Sequence, residues 1–212
     1  MLYGIDISHH NQYMKDLEHL LTQDFVLMKA TEGMGFRDGA LDKYMSVLGN
    51  KLDPLVGFYH FARPEINSDP LVEAKNFLGA IRKYLVFKPV LALDVEARAL
   101  DYPFIDGWTY VFCSYIESQT GILPLIYCSS SETQRFKSCA KMGCGLWVAK
   151  WSSKKPTKKD IAPWDFYAFW QDSNNMILSG VRVDSDIFNG DKEQFLRYGG
   201  VRDGKETDRS TN

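Results

Sequence analysis

Asp94-Val95-Glu96 closes the apolar run Pro89-Val90-Leu91-Ala92-Leu93 and is the pattern in this chain best suited to acid–base chemistry. In an extended strand, residues two apart share a face with Cα atoms about 6.6 Å apart, so both carboxyls reach one site. Mutual repulsion raises the pKa of one of them. A proton donor then stands beside an ionised partner, the arrangement that cleavage of a glycosidic bond requires. The plainer alternative is a pair of strand-end carboxylates capping the next helix. Asp6 and Asp184 weigh against it, because closing an eight-stranded barrel lays the last strand beside the first and brings both to the same mouth. Four carboxylates in one opening are costly unless they bind something or share protons.

Aromatic residues form the second signal. Tyr59, Tyr127, Trp147, Trp151 and Trp170 all fall near the ends of apolar runs, where flat faces can stack on sugar rings, although each alone reads more readily as packing. Lys29, inside Leu27-Met28-Lys29-Ala30-Thr31-Glu32-Gly33, is a charge within an apolar strand. If it points inward it needs a carboxylate partner such as Glu32 or Asp6. His60 is read as orienting a carboxylate or a bound substrate, and Gln171 as a polar strand end. His9 and His10 are adjacent, and no HxH or HExxH spacing accompanies them, so neither a catalytic metal nor any cofactor is expected.

These residues need elements to hold them. β-rich runs at 3–8, 25–31, 55–62, 90–96, 123–129, 146–151, 166–171 and 181–188 alternate with helical spacing around 14–21, 40–51, 70–84, 104–120 and 131–139. After Trp151 the helical pattern fades, and 154–165 and 172–180 read as loops. Eight strands with helices after the first five predict an α/β fold, a single barrel related to the (β/α)₈ plan but truncated on its C-terminal side. An open doubly wound sheet competes. Its dinucleotide-binding version is weakened because Asp6-Ile7-Ser8-His9-His10-Asn11 stands where a glycine-rich phosphate loop would be.

Composition sets the outer bounds. The 212 residues are 45% hydrophobic and 25% charged, with a net charge of −2, so the chain is read as one folded domain with no electrostatic draw toward nucleic acid. No run approaches a membrane span. Residues 1–198 are read as the domain and 199–212, glycine-rich and charged, as a tail or the start of a linker. The four cysteines, Cys113, Cys128, Cys139 and Cys144, are too sparse for a disulfide scaffold and fit no CxxC pattern, so reduced thiols are expected; pairing of Cys139 with Cys144 requires oxidation.

Asp6-Ile7-Ser8, Lys29-Ala30-Thr31-Glu32-Gly33, Gly57-Phe58-Tyr59-His60-Phe61-Ala62, Leu93-Asp94-Val95-Glu96, Ile126-Tyr127, Leu146-Trp147-Val148-Ala149, Trp170-Gln171 and Val183-Asp184 follow one another in a familiar order. Over residues 3–190 the chain resembles glycoside hydrolase family 25, the Chalaropsis-type lysozymes common among phage endolysins and bacterial autolysins. The resemblance implies a flattened (β/α)5(β)3 barrel and an N-acetylmuramidase cutting the β-1,4 bond between N-acetylmuramic acid and N-acetylglucosamine. By the same resemblance Glu96 is the general acid, Asp94 its partner, and Asp6 and Asp184 supporting carboxylates. Lys29, Glu32, Tyr59, His60, Tyr127, Trp147, Trp170 and Gln171 are expected to bind substrate. Two departures, Gln12 after Asn11 and Asp172 after Gln171, concern subsites only. The partner expected is bacterial peptidoglycan, met by a monomer, with neither nucleic acid nor membrane involved and with room for a wall-binding domain past the tail. With no basic or apolar leader at its start, the chain is expected to be made in a host cytoplasm and to reach the wall after release. A chitinase-like hexosaminidase and a non-catalytic wall-binding module are the rival readings.

Overall fold

The computed structural model describes residues 1–200. Nine strands run in order β1 (Leu2–Ile7), β2 (Phe25–Glu32), β3 (Phe36–Arg37), β4 (Val56–Phe61), β5 (Val90–Asp94), β6 (Leu125–Ser129), β7 (Leu146–Ala149), β8 (Phe169–Leu178) and β9 (Val181–Phe188). All but β3 form a closed barrel. Parallel pairing runs from β1 through β2, β4, β5, β6 and β7 to β8, and β9 closes the ring antiparallel to both β8 and β1. The short β3, which the sequence pattern does not reveal, lies antiparallel on β2.

Helices α1 (Leu41–Leu48), α2 (Pro70–Ile81), α3 (Ile105–Thr120) and α4 (Lys137–Met142) follow the β3, β4, β5 and β6 strands, with short α5 (Lys158–Ile161) and α6 (Lys192–Tyr198) later. Local chemistry sets their ends. Asp69 accepts from the Leu71 amide at 2.9 Å with Pro70 in the first turn of α2, while Gly121, at φ +73°, stops α3.

The helix expected at 14–21 is instead a 3₁₀ turn at Leu17–Thr22, preceded by another at His9–Asn11. The Lys15 amide is tied to the Ser179 carbonyl at 3.0 Å and the Asp16 amide to Ser179 Oγ at 2.7 Å. Only residues 17–24, about two turns, are left between that anchor and β2, a length at which an α-helix repays its nucleation poorly. The loop expected at 172–180 is strand. Beyond Gln171 the strand pairs with β9 alone, as a ribbon extending past the barrel, its first residues polar and only partly buried and its last, Leu178, packed on the outer core layer. Ser179 (φ +48°) and Gly180 (φ +81°) join the two strands in a tight turn of the I′ kind, whose two left-handed residues match strand twist.

Strand alternation divides the apolar residues into two layers. Phe25, Leu27, Tyr59, Val90, Ala92, Leu125, Tyr127, Trp147, Phe169 and Phe188 fill the barrel, whereas Val26, Met28, Phe58, Leu91, Leu93, Ile126, Val148 and Trp170 face the helices. The N-terminal end of the barrel is plugged by α6, whose Phe195 ring meets Phe25, Phe169 and Phe188 at 5.3–5.6 Å. The start of α6 is a reciprocal cap between Asp191 and Gln194. Gly199 still belongs to this packing, since a Cβ there would lie 1.9 Å from the Lys88 carbonyl oxygen. The rest of the expected tail, 201–212, lies outside the described residues.

Candidate active site

At the opposite end of the barrel, a cleft of about 240 Å³ is lined by Asp6, Lys29, Tyr59, Asp94, Glu96, Tyr127, Trp147, Gln171 and Asp184, with Ser8, His10 and Phe61 at its edge. Every one of the first nine was singled out from sequence. They converge because each except Glu96 is an inward-facing strand residue: the parallel strands deliver inward residues near their C-terminal ends to one mouth, and antiparallel β9 brings Asp184 there as the cross-strand partner of Asp6.

Asp94 ends β5, and the Val95 amide continues the ladder by donating to the Tyr127 carbonyl at 3.0 Å. Glu96 follows in extended backbone at φ −145°, after which Ala97 turns sharply at φ +50°. A left-handed non-glycine residue costs on the order of 1–3 kcal/mol, and such strain gathers where a side chain must be held in a working position. Asp6 and Asp184 are direct cross-strand partners in the β1–β9 pair, as expected from closure of the barrel. Gln171 joins the groups. Its Nε2 donates to Asp6 Oδ2 at 2.7 Å and to Asp184 Oδ2 at 3.3 Å, while its Oε1 accepts from Tyr127 Oη at 3.0 Å and Trp151 Nε1 at 2.9 Å.

The electrostatics favour bound protons. Burial, then the charge of Asp184, raises the Asp6 carboxyl to about 7. Burial and the neighbouring Glu96 push Asp94 well above the carboxylate range; burial and Asp184 raise half-buried Glu96; burial raises Asp184. Lys29 pulls Asp94 and Glu96 the other way, though its Nζ is 2.6 Å from Glu32 Oε2 and 4.6 Å from the Phe61 ring centre. Asp94 Oδ1 is buried without a hydrogen-bond partner among the described residues, an acceptor facing no donor of the protein's own.

Three expected substrate contacts are not delivered to the cleft. His60, next to inward Tyr59, faces the helices and is wholly buried. Burial lowers the proton affinity of its ring, with Glu73 pulling the other way; Nε2 lies 2.8 Å from Glu73 Oε2 and Nδ1 lies 2.7 Å from Thr31 Oγ1. It does orient a carboxylate, but Glu73 of α2 rather than one in the cleft. Trp170, next to inward Gln171, lies in the outer layer with Nε1 donating to the Lys150 carbonyl at 2.8 Å. Glu32 stands behind Lys29, paired also with Arg63, and these two cations hold its carboxyl low despite burial. Conversely, sequence reasoning missed Asp186. It sits under the cleft, accepting from Trp147 Nε1 at 2.7 Å, and burial and Asp6 hold its carboxyl well above the usual range. The Asp184-Ser185-Asp186 spacing on one strand was the available signal. Among the described residues, the group of His, Cys, Asp or Glu donors spaced to share a metal ion is Cys113, Cys139 and Cys144, away from this cleft.

Residues 5–181 match the family model described as glycosyl hydrolases family 25. No curated protein matches the chain. Among solved structures it is similar to a muramidase from Acremonium alcalophilum, at 26% identity over 94% of this chain and 99% of that one, with a TM-score of 0.75. A family 25 glycosyl hydrolase from Bacillus anthracis is 25% identical over 94% of both chains, also at 0.75. The catalytic domain of endolysin ply40 from bacteriophage P40 of Listeria monocytogenes shares the fold, at 24% identity over 95% and 98%, with a TM-score of 0.72.

Proposed function

The chain belongs to glycosyl hydrolase family 25, and from that premise we propose that it is a lysozyme cleaving the β-1,4 bond between N-acetylmuramic acid and N-acetylglucosamine in peptidoglycan. The observation that carries the reading is the pair Asp94 and Glu96, two carboxyls with raised proton affinity facing one cleft between Asp6 and Asp184. In this account Glu96 gives its proton to the glycosidic oxygen as the bond to the anomeric carbon breaks. A carboxylate nucleophile usually stands across the sugar from the acid, whereas Asp94 springs from the same short segment as Glu96. The substrate's own 2-acetamido carbonyl oxygen therefore attacks the anomeric carbon. Asp94, with its unpaired Oδ1, accepts the acetamido N–H and stabilises the positive charge growing there. That charge favours ionised Asp94 and leaves the shared proton on Glu96. Water then opens the cyclic intermediate, giving up a proton to Glu96, with net retention. Tyr127 and Trp151 support Gln171, which fixes the Asp6 and Asp184 carboxyls beneath the sugar.

The biological setting we propose is phage or prophage lysis, the role named for ply40, which shares this fold. The test of the chemistry is turnover of purified cell walls by Glu96→Gln, which keeps shape and hydrogen bonding but not the proton. A loss of about 10²–10⁴ in rate is expected; turnover within threefold of the parent would remove Glu96 from the acid role.

A further inference from the structure

Outside the cleft, three cysteines converge from three parts of the outer layer. Cys113 belongs to α3, Cys139 to α4, and Cys144 to the loop leading into β7. All three are buried, and their Sγ atoms lie within 4.8 Å of one another. Cys128, on β6, does not belong to the group. Neutral thiols are poor hydrogen-bond partners, so packing has little reason to collect three of them at one point. A soft cation does, because thiolates are its preferred donors.

The geometry points to a structural site for a d¹⁰ dication of the zinc type, held by Cys113, Cys139 and Cys144 with the Thr109 hydroxyl in fourth place; we propose it as a property of this chain separate from the cleft. At a metal–sulfur distance of about 2.3 Å, a tetrahedral site has sulfur–sulfur edges of about 3.8 Å, so the three thiols need to close by about 1 Å at most. Thr109 supplies the second half of the argument. Its Oγ1 lies 3.4 Å from Cys139 Sγ, near the sulfur–oxygen edge of about 3.6 Å that the same distances give. The hydroxyl donates its proton back along α3, to the Ile105 and Asp106 carbonyls at 2.9 and 3.0 Å, which leaves oxygen lone pairs for a cation. Binding converts three thiols to thiolates and sends their protons to solvent, so the dication's charge is met where it binds and the filled site carries a net charge of −1. A path in exists, since a surface hollow of about 380 Å³ between Lys141 and Trp164 is lined in part by Cys144. The Trp164 indole donates to the Cys144 carbonyl at 2.6 Å, which places an optical reporter beside the site.

The experiment titrates Cd²⁺ into the reduced, metal-free protein without oxygen, following the ultraviolet thiolate-to-cadmium band, Trp164 emission and proton release. One equivalent per chain is expected to saturate the band, release protons and raise the melting temperature, the last because the ion binds the folded state. Cys128→Ser should behave as the parent, while Cys139→Ser and Cys113→Ser should lose the band yet still digest cell walls, which shows that they fold. No stoichiometric band with thiols verified as reduced would overturn the proposal. So would an unchanged band in Cys139→Ser, or purification of the parent with an internal disulfide in place of the free trio.

Discussion

At the level of single residues, the alternation of strand faces decides which of the suspected groups can work together. Asp6, Lys29, Tyr59, Asp94, Tyr127, Trp147, Gln171 and Asp184 all face inward, and the sequence alone singles out each of them. His60 and Trp170 were legible as misplaced, because each is the immediate neighbour of a residue that faces the cleft, and adjacent strand residues cannot share a face. Asp186 was equally legible by parity with Asp184. What no pattern in the sequence discloses is the hub, since Gln171 finds Asp6 and Asp184 through contacts 165 and 13 residues away. The proposed role of Asp94 is testable at this scale. Asp94→Asn keeps an acceptor but removes the charge that offsets the cyclic cation, so a rate loss of about 10² or more is expected with binding of wall fragments kept. Proton NMR of the first-formed product should show the β-anomer. An initial α-anomer would mean inversion, and with it direct attack by water.

Among the elements, those with strong local signals were readable and those made by tertiary contact were not. β2 up to Lys29 and β5 up to Asp94 are apolar runs buried on both faces, as parallel strands must be, while α2 carries its own N-cap at Asp69 and α3 its own stop at Gly121. Past Gln171, β8 reads as loop because Asp172-Ser173-Asn174-Asn175 is polar on both sides; it is a strand because the turn at Ser179-Gly180 folds β9 onto it. This hairpin also anchors the first crossover through the Lys15 and Asp16 amides. Gly180 matters twice over, for its φ of +81° and because a Cβ would meet the Lys15 side chain at 3.1 Å. Gly180→Val is therefore expected to cost about 1–3 kcal/mol, a fall of several degrees in melting temperature for a domain of this size. An unchanged melting temperature would show that the turn is not under this constraint.

For the molecule as a whole, the cleft is a place where function opposes stability. Folding raises the Asp6 carboxyl from its ordinary 3.8 to about 7, and Asp94, Glu96, Asp184 and Asp186 move in the same direction. The folded state thus binds protons more tightly than the unfolded chain. The contribution is most favourable below the unfolded value and is lost as pH rises through the folded one. Asp6→Asn has no proton to lose, so its stability should fall less steeply than the parent's between about pH 4 and 7 in denaturant titrations; parallel curves would contradict the shift assigned to Asp6. The central claim, that this barrel opens the glycan between N-acetylmuramic acid and N-acetylglucosamine, is tested most directly by digesting purified peptidoglycan and reducing the new ends with borohydride. Mass spectrometry should then find reduced N-acetylmuramic acid in the parent digest and none with Glu96→Gln. Reduced N-acetylglucosamine at those ends would contradict the account.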